Sequence, residues 1–253
     1  MDSIVQYILN RSKLEISHIK ITRATKETFY MAIECRVTDT GPLGATLAPM
    51  TVDMVGPKGV FGRVDLPEVK TKSSGTDVSM PDQEIQIIDM EAYLAFTESI
   101  LKDEELTVTL DNGKGVVKAL MMSANIIYRK EVRIKGMNGP KSEFVSVTPD
   151  GAGYKAEVKV HNPSPIEIDM GTTIWEVQTE DGKKLSEQRG RVHINRGETT
   201  YSVIGTIEPG AAAGSAGKLV GIGTEEDAWT NESLKILSVP FALPAEYTSL
   251  VKA

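Results

Sequence analysis

The chain has a single cysteine, Cys35, in 253 residues. No intrachain disulfide can form, so the fold rests on its apolar core. A thiolate metal cluster is excluded for the same reason. Histidine is also scarce: His18, His161 and His193 are the only three, and none stands at ligand spacing from Cys35, an acid or another histidine. A zinc site is therefore not expected. No window approaches the length of a membrane-spanning helix, and the apolar stretch near Met1–Leu9 is too short and too polar for a secretory leader. Positive charge is in deficit: Lys and Arg number 28 against 35 Asp and Glu, a net charge of -7. Phosphate backbones are bound by clustered Lys and Arg, so nucleic acid is excluded as the main partner.

Catalytic motifs are missing as well. Gly214-Ser215-Ala216-Gly217 lacks the Gly-x-Ser-x-Gly spacing of a nucleophile elbow. Gly221-Ile222-Gly223 runs into Thr224-Glu225-Glu226, whose charge repels phosphate. The acidic runs Asp103-Glu104-Glu105 and Glu225-Glu226-Asp227 have no EF-hand pattern and read as solvated loops. The expectation is a chain with no metal and no cofactor.

What the chain does have is an internal repeat. Glu34-Cys35-Arg36-Val37-Thr38-Asp39-Thr40-Gly41-Pro42-Leu43 lies without gaps over Glu157-Val158-Lys159-Val160-His161-Asn162-Pro163-Ser164-Pro165-Ile166, at an offset of 123 residues. The register holds to a Pro57-Lys58-Gly59 turn matched by Glu180-Asp181-Gly182. A duplicated unit of this length is a domain rather than a solenoid repeat.

Local patterning is that of short strands. Leu14–Ile21 and Phe29–Val37 alternate apolar and polar residues, and Cys35 shares inward parity with Phe29, Met31, Ile33 and Val37. A buried, inert thiol follows. Ser3–Leu9 reads as a short amphipathic helix. Asp89 is a candidate N-cap for a helix near 89–102, with Met90, Tyr93, Leu94, Thr97, Ile100 and Leu101 on one face. Asp111-Asn112-Gly113-Lys114-Gly115 reads as a turn, and Arg129–Lys135 as the solvent face of a strand. Gly136-Met137-Asn138-Gly139-Pro140 is the clearest break. In the second half, Gly210–Gly217 reads as a loop and Ser233–Val239 as the last strand.

The expected fold is mainly β: two tandem antiparallel β-sandwich domains of immunoglobulin/fibronectin type, residues 1–137 and 138–253, with one internal helix in the first.

Asn162-Pro163-Ser164-Pro165-Ile166 followed by the hairpin Trp175–Gly182 resembles the late-embryogenesis-abundant (water stress and hypersensitive response) β-sandwich domain. Two such units joined by Tyr128–Gly139 resemble the tandem form of fungal proteins. The first copy departs from the motif, with Asp39-Thr40 in place of Asn-Pro. The resemblance implies membrane-anchored, vacuolar or lipid-related relatives and no shared catalytic motif. With no anchor-length segment in this sequence, a cytoplasmic form is the expectation.

Methionine is concentrated in the first domain: Met31, Met50, Met54, Met80, Met90, Met121 and Met122. Flexible thioethers adapt to varied apolar ligands. Ordinary core packing is the first explanation of them. The functional alternative is a pocket in the first domain or at the domain junction. Three readings follow. One is a binding protein whose partner is a hydrophobic small molecule or lipid. Another is a cofactor-free cyclase or isomerase of Diels–Alderase type, needing only a shaped apolar pocket and one or two hydrogen-bond donors. A stress-related protein-interaction module is the third. Candidate donors are Tyr30, Tyr93, Asn125 and Tyr128; candidate lining residues are Met31, Phe96, Met121, Met122 and Trp175.

Overall fold

The computed structural model describes residues 2–42, 44–119 and 122–251. It is mainly β, as the alternation implies. The chain divides into two compact units: residues 1–23, 27–99 and 105–135 form unit 1, and residues 24–26, 100–104 and 136–253 form unit 2.

Unit 1 opens with helix α1 (Asp2–Arg11) and builds two layers. The first is antiparallel: β1 (Lys13–Thr22) pairs β2 (Thr28–Thr38), which pairs β7 (Thr76–Gln86). The second layer centres on β8 (Glu105–Ala119). On one flank β8 pairs β4 (Met50–Gly56), itself paired with β5 (Gly59–Leu66). The same flank carries two short strands, β3 (Thr46–Leu47) and β6 (Val69–Lys70). On the other flank lies β9 (Met122–Lys135), the sheet's edge.

Helix α2 (Met90–Lys102) starts where Asp89 was expected to cap it: the Ala92 N–H donates to Asp89 Oδ1 at 3.0 Å. Its inward face carries Ala92, Tyr93, Phe96 and Thr97, whereas Met90 is exposed. In unit 1 this face forms an aromatic cluster. Tyr93 stacks on Phe29 at 4.9 Å between ring centroids, and Phe96 stacks on Phe61 at 4.3 Å.

Unit 2 runs antiparallel in the order β10 (Lys141–Asp150), β11 (Gly153–Asn162), β14 (Gly197–Ile207), β13 (Lys184–Ile194), β12 (Ile166–Thr179), β15 (Ala216–Thr224), β16 (Ser238–Ala242). The pairings repeat those of unit 1. β10·β11·β14 matches β1·β2·β7, and β13·β12·β15·β16 matches β5·β4·β8·β9. Two differences matter. In unit 2, β13 also bonds β14, from Ser186 opposite Ile207 to Arg189 opposite Ile204, which zips the two layers along one side. Among the described residues of unit 1, β5 and β7 form no such ladder. Secondly, β12 and β13 are continuous, but their counterparts in unit 1 are broken. Pro49 separates β3 from β4, and Pro67 separates β5 from β6. Proline has no N–H for the ladder, so a strand cannot continue through it with full pairing.

The Asn162-Pro163-Ser164 segment is buried and self-satisfied. Asn162 Nδ2 donates to the carbonyls of Ile166 and Asn195, at 2.8 and 3.1 Å, and Asn162 Oδ1 accepts from the Ser164 N–H at 2.9 Å. In the first copy Asp39 takes a left-handed φ of 56° and pairs outward with Lys13 at 3.0 Å. Near the other ends of β11 and β13, Tyr154, Ser186 and Tyr247 join hydroxyls in a buried chain at 2.9 and 2.7 Å, with Tyr154 also donating to Gln188.

Several expectations are corrected. Asp111–Gly115 is not a turn: β8 passes through it on a bulge, Asn112 taking a φ of 58°. The β8–β9 pairing instead runs on past this segment to Ala119 opposite Met122. The expected strand Ser233–Val239 is split. Trp229–Lys235 is helix α3, with Trp229, Thr230, Ser233 and Leu234 buried at helical spacing, and only Ser238 onward is strand. A terminal helix α4 (Ala245–Val251) adds to the two helices expected.

Candidate functional site

Inward parity on the strands of unit 1 delivers a continuous aliphatic surface from both layers. Ile19, Met31, Ile33 and Cys35 face in from β1 and β2, and Val108, Ala124, Ile126, Val132 and Ile134 from β8 and β9. In most sandwiches such faces interdigitate and close. Here they enclose a cavity of about 330 Å³. Its wall takes residues from both layers, from the broken-strand segment (Ala45, Leu47, Pro67, Val69) and from Phe96 of α2. The interruptions at Pro49 and Pro67 therefore fall beside the cavity.

One end is covered by α1. Ile4, Val5, Ile8 and Leu9 border the cavity at helical spacing. The helix is held at two points. The Gln6 side chain pairs with the backbone of Ile127, Nε2 donating to the Ile127 carbonyl at 2.9 Å and Oε1 accepting from its N–H at 3.1 Å. At the C-terminal end, Lys130 Nζ donates to the carbonyls of Asn10 and Ser12. A cation at a helix C-terminus satisfies carbonyls that the helix leaves unpaired.

The electrostatics of the wall are simple. Among the described residues no Asp or Glu lines the cavity, and the charged residues that do are Lys13 and Lys130. Lys13 is exposed and paired with Asp39. Lys130 is 7% exposed, and burial holds its ammonium below the ordinary lysine range. The Cys35 thiol is pushed up to about 11, first by burial and then by the nearby Asp77 charge. Burial raises the Tyr128 phenol too, with a smaller contribution from Cys35.

The sequence-derived candidates separate cleanly. Met31, Phe96, Met122 and Tyr128 line the cavity. Tyr93 does not: it is fully buried in the aromatic cluster between Phe29 and Phe61. Tyr30 lies on the opposite face of β2, its ring beneath the Arg23 guanidinium at 3.5 Å. Asn125 has outward parity on β9 and is exposed. Trp175 is buried in unit 2, its indole N–H donating to Thr173 Oγ1 at 2.9 Å. Met121 lies outside the described residues. Lys130 was missed, being read as part of a solvated basic strand. The signal was present in its parity: it shares the inward register of Ala124, Ile126, Tyr128, Val132 and Ile134.

Residues 59–177 match the model of a family described as "Protein of unknown function (DUF3712)". No curated protein matches the chain significantly. Among solved structures, the chain is similar to the periplasmic chaperone SfaE, at 12% identity over 91% of this chain and 97% of that one, with a TM-score of 0.20. It is also similar to the CsuC–CsuE chaperone–tip adhesion subunit complex of Acinetobacter baumannii, at 10% identity, 91% and 97% coverage and a TM-score of 0.21. CBD12 from CALX1.2 aligns at 16% identity, 75% and 72% coverage and a TM-score of 0.18. Superpositions this loose leave the functional argument to the cavity itself. Among the described residues no cluster of three or more His, Cys, Asp or Glu could hold a metal ion.

Proposed function

We propose that this protein binds a hydrophobic small molecule or lipid within unit 1. The observation that carries this reading is the cavity of about 330 Å³, walled largely by aliphatic and thioether side chains and, among the described residues, free of acidic groups. A well-packed domain holds few voids larger than a water molecule. An apolar void of this size gives up dispersion contacts on every wall, and an apolar ligand restores them. An apolar cavity of about 150 Å³ holds one benzene, so this one suits a ligand of two or more such groups. The methionines Met31, Met54, Met80 and Met122 give the wall room to adapt.

The cyclase reading draws less support. Of its four candidate donors only Tyr128 borders the cavity. A phenol kept protonated by burial can hold a ligand oxygen, but a single donor serves orientation as well as it serves catalysis.

The test is a titration of delipidated protein with the uncharged dye Nile red, together with native mass spectrometry of protein purified gently. The expected result is saturable one-to-one binding with blue-shifted emission, or a retained apolar ligand. Absence of both overturns the reading.

A further inference from the structure

We propose that the unit 1 cavity takes single-chain amphiphiles with an anionic head, the chain lying along the aliphatic wall and the head meeting the Lys130 ammonium. This rests on the binding reading above and names the ligand class for the same cavity.

Four observations converge. The alternation of β9 turns Lys130 inward, between Tyr128 and Val132, and leaves it 7% exposed. Its ammonium has three N–H donors. Two go to the carbonyls of Asn10 and Ser12, which leaves one for a ligand. Among the described residues no carboxylate pairs with it, whereas Lys13, the other cation on the wall, is occupied by Asp39. In a chain of net charge -7, the described residues of the cavity wall include no Asp or Glu. A buried cation facing only neutral dipoles is costly, and a ligand anion beside it removes much of that cost.

Size supports a single chain. At about 30 Å³ for a water-sized group, the cavity of about 330 Å³ accommodates on the order of ten chain carbons. A medium-chain fatty acid and a monoalkyl phosphate of similar length share the required chemistry.

The experiment compares decanoate, decanol and decyl phosphate as competitors of Nile red on the full chain. Wild type is expected to bind decanoate at least about 10-fold tighter than decanol, the range a sheltered charge-assisted hydrogen bond provides. Lys130→Met brings that ratio close to one, whatever its effect on decanol affinity through the loss of the α1 contacts. Lys130→Arg keeps the preference. A purely structural role for Lys130, tying down α1, would weaken all three ligands together and leave the ratio unchanged, and that result overturns the proposal. Equal wild-type binding of acid and alcohol also overturns it, with the cavity reading intact and no dependence on any variant. Failure of all three to bind overturns both. Decyl phosphate binding as tightly as decanoate supports a general anion contact; binding as weakly as decanol restricts the head to a carboxylate.

Discussion

Replacing Ala124 by phenylalanine puts a ring into the cavity from the β9 wall. Ala124 is 3% exposed, faces inward and borders the cavity. In a close-packed core this change costs about 1–3 kcal/mol by overpacking. In a hollow one the sign is different. If the ring occupies about 100 Å³ of void, the gain at about 24 cal/mol per Å³ is about 2 kcal/mol. That offsets most or all of the strain. The expected result is unfolding free energy unchanged or raised by up to about 2 kcal/mol, with Nile red affinity reduced at least about 10-fold. Urea titrations and dye titrations on the same preparations read both quantities. A destabilisation of about 3 kcal/mol with dye binding intact would refute the reasoning, because it would mean that the space at Ala124 is already filled in solution.

Asn162→Ala strips three hydrogen bonds from a buried turn of unit 2 and leaves two carbonyls and an N–H without partners. At about 1–3 kcal/mol for each unsatisfied group, a loss of about 3 kcal/mol or more is expected by urea unfolding; less than 1 would show that water replaces the side chain. Cys35, with its thiol pushed up to about 11, is expected to react with iodoacetamide far more slowly than free cysteine at pH 8. Its rate should rise with pH toward that value, and a bound ligand should slow it further because Cys35 lines the cavity. Rapid labelling at pH 8 would show an open wall. Gln6→Ala removes both bonds to the Ile127 backbone. Faster dye entry and exit in stopped-flow mixing is the expected outcome, and unchanged rates would mean that α1 does not cover the entrance.

The mainly β architecture was legible because strands with one buried face write it as alternation. Phe29, Met31, Ile33, Cys35 and Val37 were placed inward from sequence, and Phe29, Met31, Ile33 and Cys35 are buried. The α2 cap at Asp89 was legible for a similar reason, since it needs only one side chain and the adjacent backbone. The full length of β8 was not, because Asp111-Asn112-Gly113, which looks like a turn, serves as a bulge within the β8–β9 ladder. Helix α3 escaped notice because a seven-residue element is too short for its period to stand out. The site was half legible. Methionine content pointed to unit 1, but a void is a property of how two layers meet, and no residue encodes it alone. Tyr93 and Tyr30 were plausible by chemistry and excluded by the faces they occupy. Lys130 was hidden by the opposite error: charge suggested solvent, while the register of its own strand said otherwise.

Pro49 and Pro67 point to how a duplicated gene can diversify. Both copies retain the same pairing plan, and in unit 2 unbroken strands and a zipped flank tie the two layers together. In unit 1 two imino acids cut the corresponding strands beside the hollow. The two copies thus differ there by no new element and no new connection, only by the loss of a few ladder bonds at two places. Restoring those bonds, with Pro49→Thr and Pro67→Gly after the residues found at the equivalent points of unit 2, is a route by which the first copy could be made to resemble the second.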